Sequence, residues 1–228
     1  MPLYDTLGEE AVEHMLEETE LTTLFLTSEH IKKHTKRMKA GKAKFLQNLV
    51  IIDENMITAA DLEDLQGIKW FKFSKVIEEG LKNICPYPKI IPEDIACFSY
   101  TSGTTGTPKG AMISHKNLVS LISGAEAKLT YLTSDSVYIS YLPLAHILEK
   151  VVFLHLTYVG GKVGMFGGDV LKIKDDLAIL KPTIFVSVPR LFNKFYDTIK
   201  GRMSDLTGCK SSLARKAINT KLSNVDKG

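Results

Sequence analysis

Short apolar runs alternate with segments of helical period along most of the chain, and this alternation limits the possible folds more than any other feature. Glu9–Glu18 has amphipathic helical spacing, Leu21–Leu26 reads as a strand, a basic helix follows, and Asn48–Ile52 reads as the next strand. Ser74–Lys82 is expected to be a short helix, and Asn83–Glu93, with three prolines, a surface linker. Further helices are expected at Lys116–Leu129, His146–Tyr158, Val170–Leu180 and Leu191–Lys200, interleaved with strands at Ser136–Tyr141, Val163–Phe166 and Thr183–Val188. The pair Gly160-Gly161 ends the helix before it. Strands separated by helices imply an α/β architecture with a mostly parallel sheet flanked by helices. From Gly201 the apolar residues thin out, leaving a polar, partly helical tail with its best helix at Ser211–Leu222.

One segment does not fit a packing role. Tyr100 to Gly110 reads Tyr-Thr-Ser-Gly-Thr-Thr-Gly-Thr-Pro-Lys-Gly. Hydroxyls and glycines bury little apolar surface. They let backbone N–H groups and side-chain donors approach a polyphosphate, with one lysine as counter-charge. The flanking runs Ile95–Tyr100 and Gly110–Ser114 make this loop the tip of a hairpin. It is not a Walker A loop, because Pro108 precedes Lys109 and Gly110 follows it where a metal-binding hydroxyl is required. Gly103 and Gly106 also lack the third glycine of a dinucleotide fingerprint.

The run Thr101–Gly110 resembles the signature loop of the AMP-forming adenylate family, which includes acyl-CoA synthetases, luciferases and peptide-synthetase adenylation domains. Three more segments resemble its long-chain fatty acid–CoA ligase branch: Pro2-Leu3-Tyr4-Asp5-Thr6-Leu7-Gly8, Tyr141-Leu142-Pro143-Leu144-Ala145-His146-Ile147-Leu148-Glu149 and Val188-Pro189-Arg190-Leu191-Phe192-Asn193-Lys194. The resemblance runs from about Pro2 to Lys200 and implies part of the large domain of the adenylate-forming fold over 1–200, followed by the tail 201–228.

The implied reaction joins a long-chain fatty acid to ATP, giving acyl-AMP and pyrophosphate, then transfers the acyl group to coenzyme A. Mg2+ accompanies ATP. By this resemblance Thr101, Ser102, Gly103, Thr104, Thr105, Gly106 and Lys109 hold the β- and γ-phosphates, and Lys109 is catalytic because charge grows on the departing pyrophosphate. The same resemblance implies that His146 is the second catalytic residue, at the acyl pocket beside the reacting carboxylate. An isolated histidine at such a corner is more often satisfied by backbone groups; the Pro-Leu-x-His context supplies the functional reading. Glu149 shares a helical face with His146 and is either a surface carboxylate or the group that orients it. Arg190 either pairs with a nearby carboxylate at a helix start or positions the acyl or nucleotide site. The other histidines, including His34 and His155, show no ligand spacing and read as structural or exposed.

A net charge of +3 is too small to indicate nucleic acid binding. The charge is uneven, however. The first thirty residues hold no Lys or Arg, whereas Lys32, Lys33, Lys36, Arg37, Lys39, Lys42 and Lys44 crowd into a segment without acids. That segment, 32–44, is a solvated basic helix and turn, or a peripheral contact with anionic lipid or coenzyme A phosphates. Three widely spaced cysteines suggest neither zinc nor a disulfide framework and fit a reducing compartment. No apolar stretch is long enough to span a bilayer. The location expected is the cytoplasmic side, peripheral on the endoplasmic reticulum or another intracellular membrane.

Several family parts have no counterpart here: a Tyr-Gly-x-Thr-Glu stretch, a matching ribose-binding aspartate, the hinge, and the small C-terminal domain. The expectation is therefore an internal fragment of a ligase, inactive alone in exchange of pyrophosphate into ATP. The alternatives are a non-catalytic nucleotide- or lipid-binding remnant, or another AMP-forming acid ligase.

Overall fold

The structure is a computed structural model describing residues 1–4, 7–101, 107–128 and 132–225. It divides into two compact units: residues 1–130 with 143–155, and residues 131–142 with 156–228.

The first unit is built on three parallel strands, β1 (Thr23–Leu26), β2 (Asn48–Ile51) and β3 (Lys69–Lys72), with Thr23 opposite Asn48 and Asn48 opposite Lys69. Helices α1 (Glu9–Glu18), α2 (Ile31–Lys39) and α3 (Ala59–Asp64) connect or precede the strands, and α4 (Phe73–Lys82) follows them. Alternation along β1 sends Leu24 and Leu26 into the core and leaves Phe25 half exposed on the opposite face. In β2, Leu49, Val50 and Ile51 are all buried, as expected of a central parallel strand covered on both sides. Val12 and Leu16 of α1 and Ile31 of α2 close the core over Leu49 and Ile51.

The two charge blocks of the sequence meet here. Arg37, almost fully buried, reaches Glu13 at 3.8 Å and Glu9 at 4.0 Å. Lys42 pairs with Glu13 at 3.2 Å, Lys44 pairs with Glu17, and Lys39 donates to the Asp64 carbonyl at 2.7 Å. His34 is buried too, and Arg37 NH1 donates to its Nδ1 at 3.2 Å. The basic helix is thus only partly solvated, because burial of Ile31, His34 and Thr35 turns Arg37 toward the acidic α1.

Residues 84–94 form no helix or strand and are exposed, as expected of the linker. Next come the antiparallel strands β4 (Ile95–Thr101) and β5 (Lys109–Ser114), then α5 (His115–Glu126). A capping box starts α5: the Ser114 hydroxyl accepts from Asn117 N–H, and the Asn117 side chain accepts from Ser114 N–H.

In the second unit β6 (Val137–Ser140) runs parallel to β7 (Lys162–Met165). Helix α6 (Ile147–Val159) begins in the first unit and ends in the second, where Gly160 takes φ +74° and Gly161 N–H closes on the Leu156 carbonyl at 2.7 Å. Helices α7 (Ile173–Leu180), α8 (Pro189–Ser204) and α9 (Gly208–Val225) follow.

The strand expected at Thr183–Val188 does not form; one parallel bridge, Tyr138 with Ile184, stands in its place. The Thr183 hydroxyl accepts the Val137 N–H at 2.8 Å, Phe185 stacks on Tyr141, and Val188 is the N-cap of α8, so only a short run is left between the bridge and the helix. The described strands form three small sheets, two parallel and one antiparallel.

Candidate functional site

An antiparallel hairpin brackets the segment expected from the sequence to hold phosphates. Thr101 and Lys109 face each other as the last pair of the β4–β5 ladder, and the chain between them makes the loop. Ser102, Gly103, Thr104, Thr105 and Gly106 lie outside the described residues. Thr101, Thr107 and Lys109 are exposed, whereas Pro108 is buried and pins the returning chain. Lys109 has no ion-pair partner among the described residues, so its ammonium is available to a phosphate.

One pair below, Tyr100 opposes Gly110. The Tyr100 ring lies over Gly110 so closely that an added Cβ would sit 2.9 Å from ring atom Cζ. The Tyr100 hydroxyl donates to the Glu18 carboxylate at the end of α1. Burial, with the Glu18 carboxylate adding to it, holds the phenol above its usual pKa, so it stays a donor. The loop's base is therefore tied to α1 through a contact between distant residues.

Helix α6 reaches the same hairpin. Lys150 Nζ donates to Cys97 Sγ on β4 at 3.2 Å, and Lys150 N–H bonds the His146 carbonyl at 3.2 Å. His146 sits just before α6, exposed, with its N–H on the Pro143 carbonyl at 2.8 Å. Glu149 is fully buried, which excludes the surface-carboxylate reading. His155 is buried as well and donates from Nε2 to Glu126 of α5 at 2.8 Å, a structural role.

In the second unit the Tyr141 and Ser187 hydroxyls lie 2.6 Å apart, and Tyr141 stacks on Phe185 with ring centroids 5.7 Å apart. Tyr141 belongs to one signature segment and Ser187 directly precedes another, so the two are fastened together at the end of β6. Arg190 is exposed in the first turn of α8 and has no carboxylate partner among the described residues.

A sequence profile of the family described as AMP-binding enzyme matches residues 1–222. The chain belongs to that family. Among curated AMP-binding relatives it is 37% identical over 224 residues to peroxisomal long chain acyl-CoA synthetase 7 of Arabidopsis thaliana, covering 97% of this chain and 31% of that protein. It is 37% identical over 207 residues to long-chain-fatty-acid–CoA ligase 1 of Homo sapiens, covering 89% of this chain and 30% of that one. The chain thus spans about a third of the length of these relatives. The adenylation domain of a carboxylate reductase from Mycobacterium chelonae superposes with TM-score 0.77 at 22% identity, over 94% of this chain and 35% of that one. A long-chain-fatty-acid–CoA ligase from Archaeoglobus fulgidus gives TM-score 0.64 at 22% identity, over 88% of this chain and 37% of that one. These superpositions establish the α/β adenylation-domain fold.

Two contacts in the first unit, Tyr100 with Glu18 and Lys150 with Cys97, and one in the second, Tyr141 with Ser187, had no sequence signal. Each joins residues far apart in the chain. Tyr100 and Tyr141 lie in segments singled out from the sequence, but the pairings themselves do not show there.

Proposed function

We propose that this chain carries the phosphate-gripping and acyl-side portion of an AMP-forming long-chain fatty acid–CoA ligase. The observation behind this reading is the Thr101–Lys109 pair at the open end of a hairpin, bearing an exposed, unpaired ammonium. In the first half-reaction the fatty acid carboxylate attacks the ATP α-phosphate and pyrophosphate departs. Lys109 and the hydroxyls of Thr101, Ser102, Thr104 and Thr105 stabilise the charge growing on that leaving group, while Gly103 and Gly106 let backbone N–H groups approach. His146 borders the acyl carboxylate. In the second half-reaction the coenzyme A thiol takes the acyl group and AMP leaves.

Magnesium would come with ATP. No group of three His, Cys, Asp or Glu side chains among the described residues could hold a metal ion. The long-chain preference rests on the Pro-Leu-Ala-His-Ile-Leu-Glu run and the curated relatives. Among the described residues no helix is long and apolar enough to cross a membrane. Peripheral contact of segment 32–44 with the cytoplasmic side of an intracellular membrane would fall mainly to Lys32, Lys33 and Lys36, because the other four cations have partners within the fold.

The test is calorimetric binding of ATP and of pyrophosphate. Lys109→Ala should weaken both by about ten- to a hundredfold, the worth of one charge-assisted hydrogen bond. Unchanged affinities would refute the grip. In a ligase containing this segment, the same change should slow fatty-acid-dependent exchange of pyrophosphate into ATP more than transfer from preformed acyl-AMP.

A further inference from the structure

The last two helices carry a charge imbalance that the adenylation chemistry does not use. Residues 189–225 hold eight Lys and Arg against two Asp, a net of +6 in a chain whose total is +3. Over its eighteen residues α9 has no acid at all. None of the eight cations has an ion-pair partner among the described residues. This contrasts with segment 32–44, where the acidic α1 neutralises several.

The apolar residues of α8 and α9 are equally uncommitted. Leu191 is the one buried side chain of α8, and no described side chain of α9 is buried. Ile199 is 58% exposed, Leu213 68% and Leu222 58%. Between the helices runs a trough of about 700 Å³ with an apolar floor that includes Ile199, Met203 and Leu222, and with Lys200 and Arg215 on its walls. Aliphatic side chains among unpaired cations suit a surface that is anionic outside and hydrocarbon within. A phosphodiester backbone would match the cations and leave the leucines without partners.

We propose that α8 and α9 form a docking surface for an anionic phospholipid membrane, with the cations on the headgroups and Ile199, Leu213 and Leu222 in the acyl boundary. This goes beyond the adenylation reading and needs no nucleotide. The test is flotation of the whole chain with vesicles of pure phosphatidylcholine or with about a third phosphatidylserine, at about 0.1 M and 1 M salt. Binding should require phosphatidylserine and fall in high salt. Combined Lys200→Gln, Arg215→Gln and Lys216→Gln should reduce partitioning on the order of a hundredfold, and each change alone about fivefold. Leu213→Ser with Leu222→Ser should weaken it too. Lys32→Gln, Lys33→Gln and Lys36→Gln together should reduce it less than the Lys200, Arg215 and Lys216 changes do. Circular dichroism checks that each variant is folded, and the single changes stand in for the triple if it is not. Equal binding to both vesicles, loss confined to the 32/33/36 variant, or capture of single-stranded RNA without vesicle binding would each overturn the proposal.

Discussion

Replacing Gly110 by Ala tests how the hairpin is held. The new Cβ would lie 2.9 Å from Tyr100 Cζ, 3.1 Å from its hydroxyl oxygen and 3.2 Å from Cε2, well inside ordinary contact. The ring cannot swing away without straining its hydrogen bond to Glu18. Overpacking of this kind costs about 1–3 kcal/mol. Gly110 is not among the residues of positive φ, so alanine also recovers about 0.5–1 kcal/mol of unfolded-chain entropy. The net should be a loss of about 1 kcal/mol. In a Tyr100→Ala background the obstacle is gone, and the same substitution should stabilise by about 0.5–1 kcal/mol. The coupling between the two positions is then the clash itself, about 1–3 kcal/mol. Urea unfolding followed by Trp70, the sole tryptophan, which packs against the first unit's core, reads out all four proteins. Additivity within about 0.5 kcal/mol, or a stabilising Gly110→Ala in the unaltered chain, would refute the proposed packing.

Burial and the neighbouring Arg37 push His34 down from 6.5 to about 4. Its folded-state pKa lies below the unfolded value, so its contribution is complete above pH 6.5. It is lost as pH falls from 6.5 toward 4, by about 2 kcal/mol at pH 5. His34→Gln should flatten the Trp70 unfolding midpoint over that window, and an unchanged slope would assign the acid sensitivity to other groups. Tyr141→Phe and Ser187→Ala should each destabilise the second unit by about 1–2 kcal/mol, with the double variant costing less than the sum. Strict additivity in a thermal melt would show that the two hydroxyls do not bond in solution.

Much of the fold was legible because its signals are local. Val12, Met15 and Leu16 repeat at helical spacing, and α1 occupies the expected Glu9–Glu18. The hairpin was marked by apolar runs on either side of a segment too polar to pack, and β5 starts one residue earlier than expected because Lys109 completes the ladder opposite Thr101. The misses have non-local causes. β3 reads Lys-Trp-Phe-Lys, too short and polar-ended to announce itself, and it is a strand because β2 offers it a parallel edge. Thr183–Val188 has strand composition, but its first residue spends its hydroxyl on Val137 and its last caps a helix. The fate of the basic segment was equally hidden, since the acids that meet it come from an element earlier in the chain.

The antiparallel hairpin differs from its parallel neighbours in how it can form. β1 must find β2 across α2, and β2 must find β3 across α3, so each pairing closes a long stretch of chain before it gains a contact. β4 and β5 are separated only by the loop they present. They can close on the microsecond timescale of isolated hairpins, ahead of the three-stranded parallel sheet. The platform under Lys109 is thus available early in folding, and the link from Tyr100 to Glu18 is the later event that locks it to the rest of the first unit.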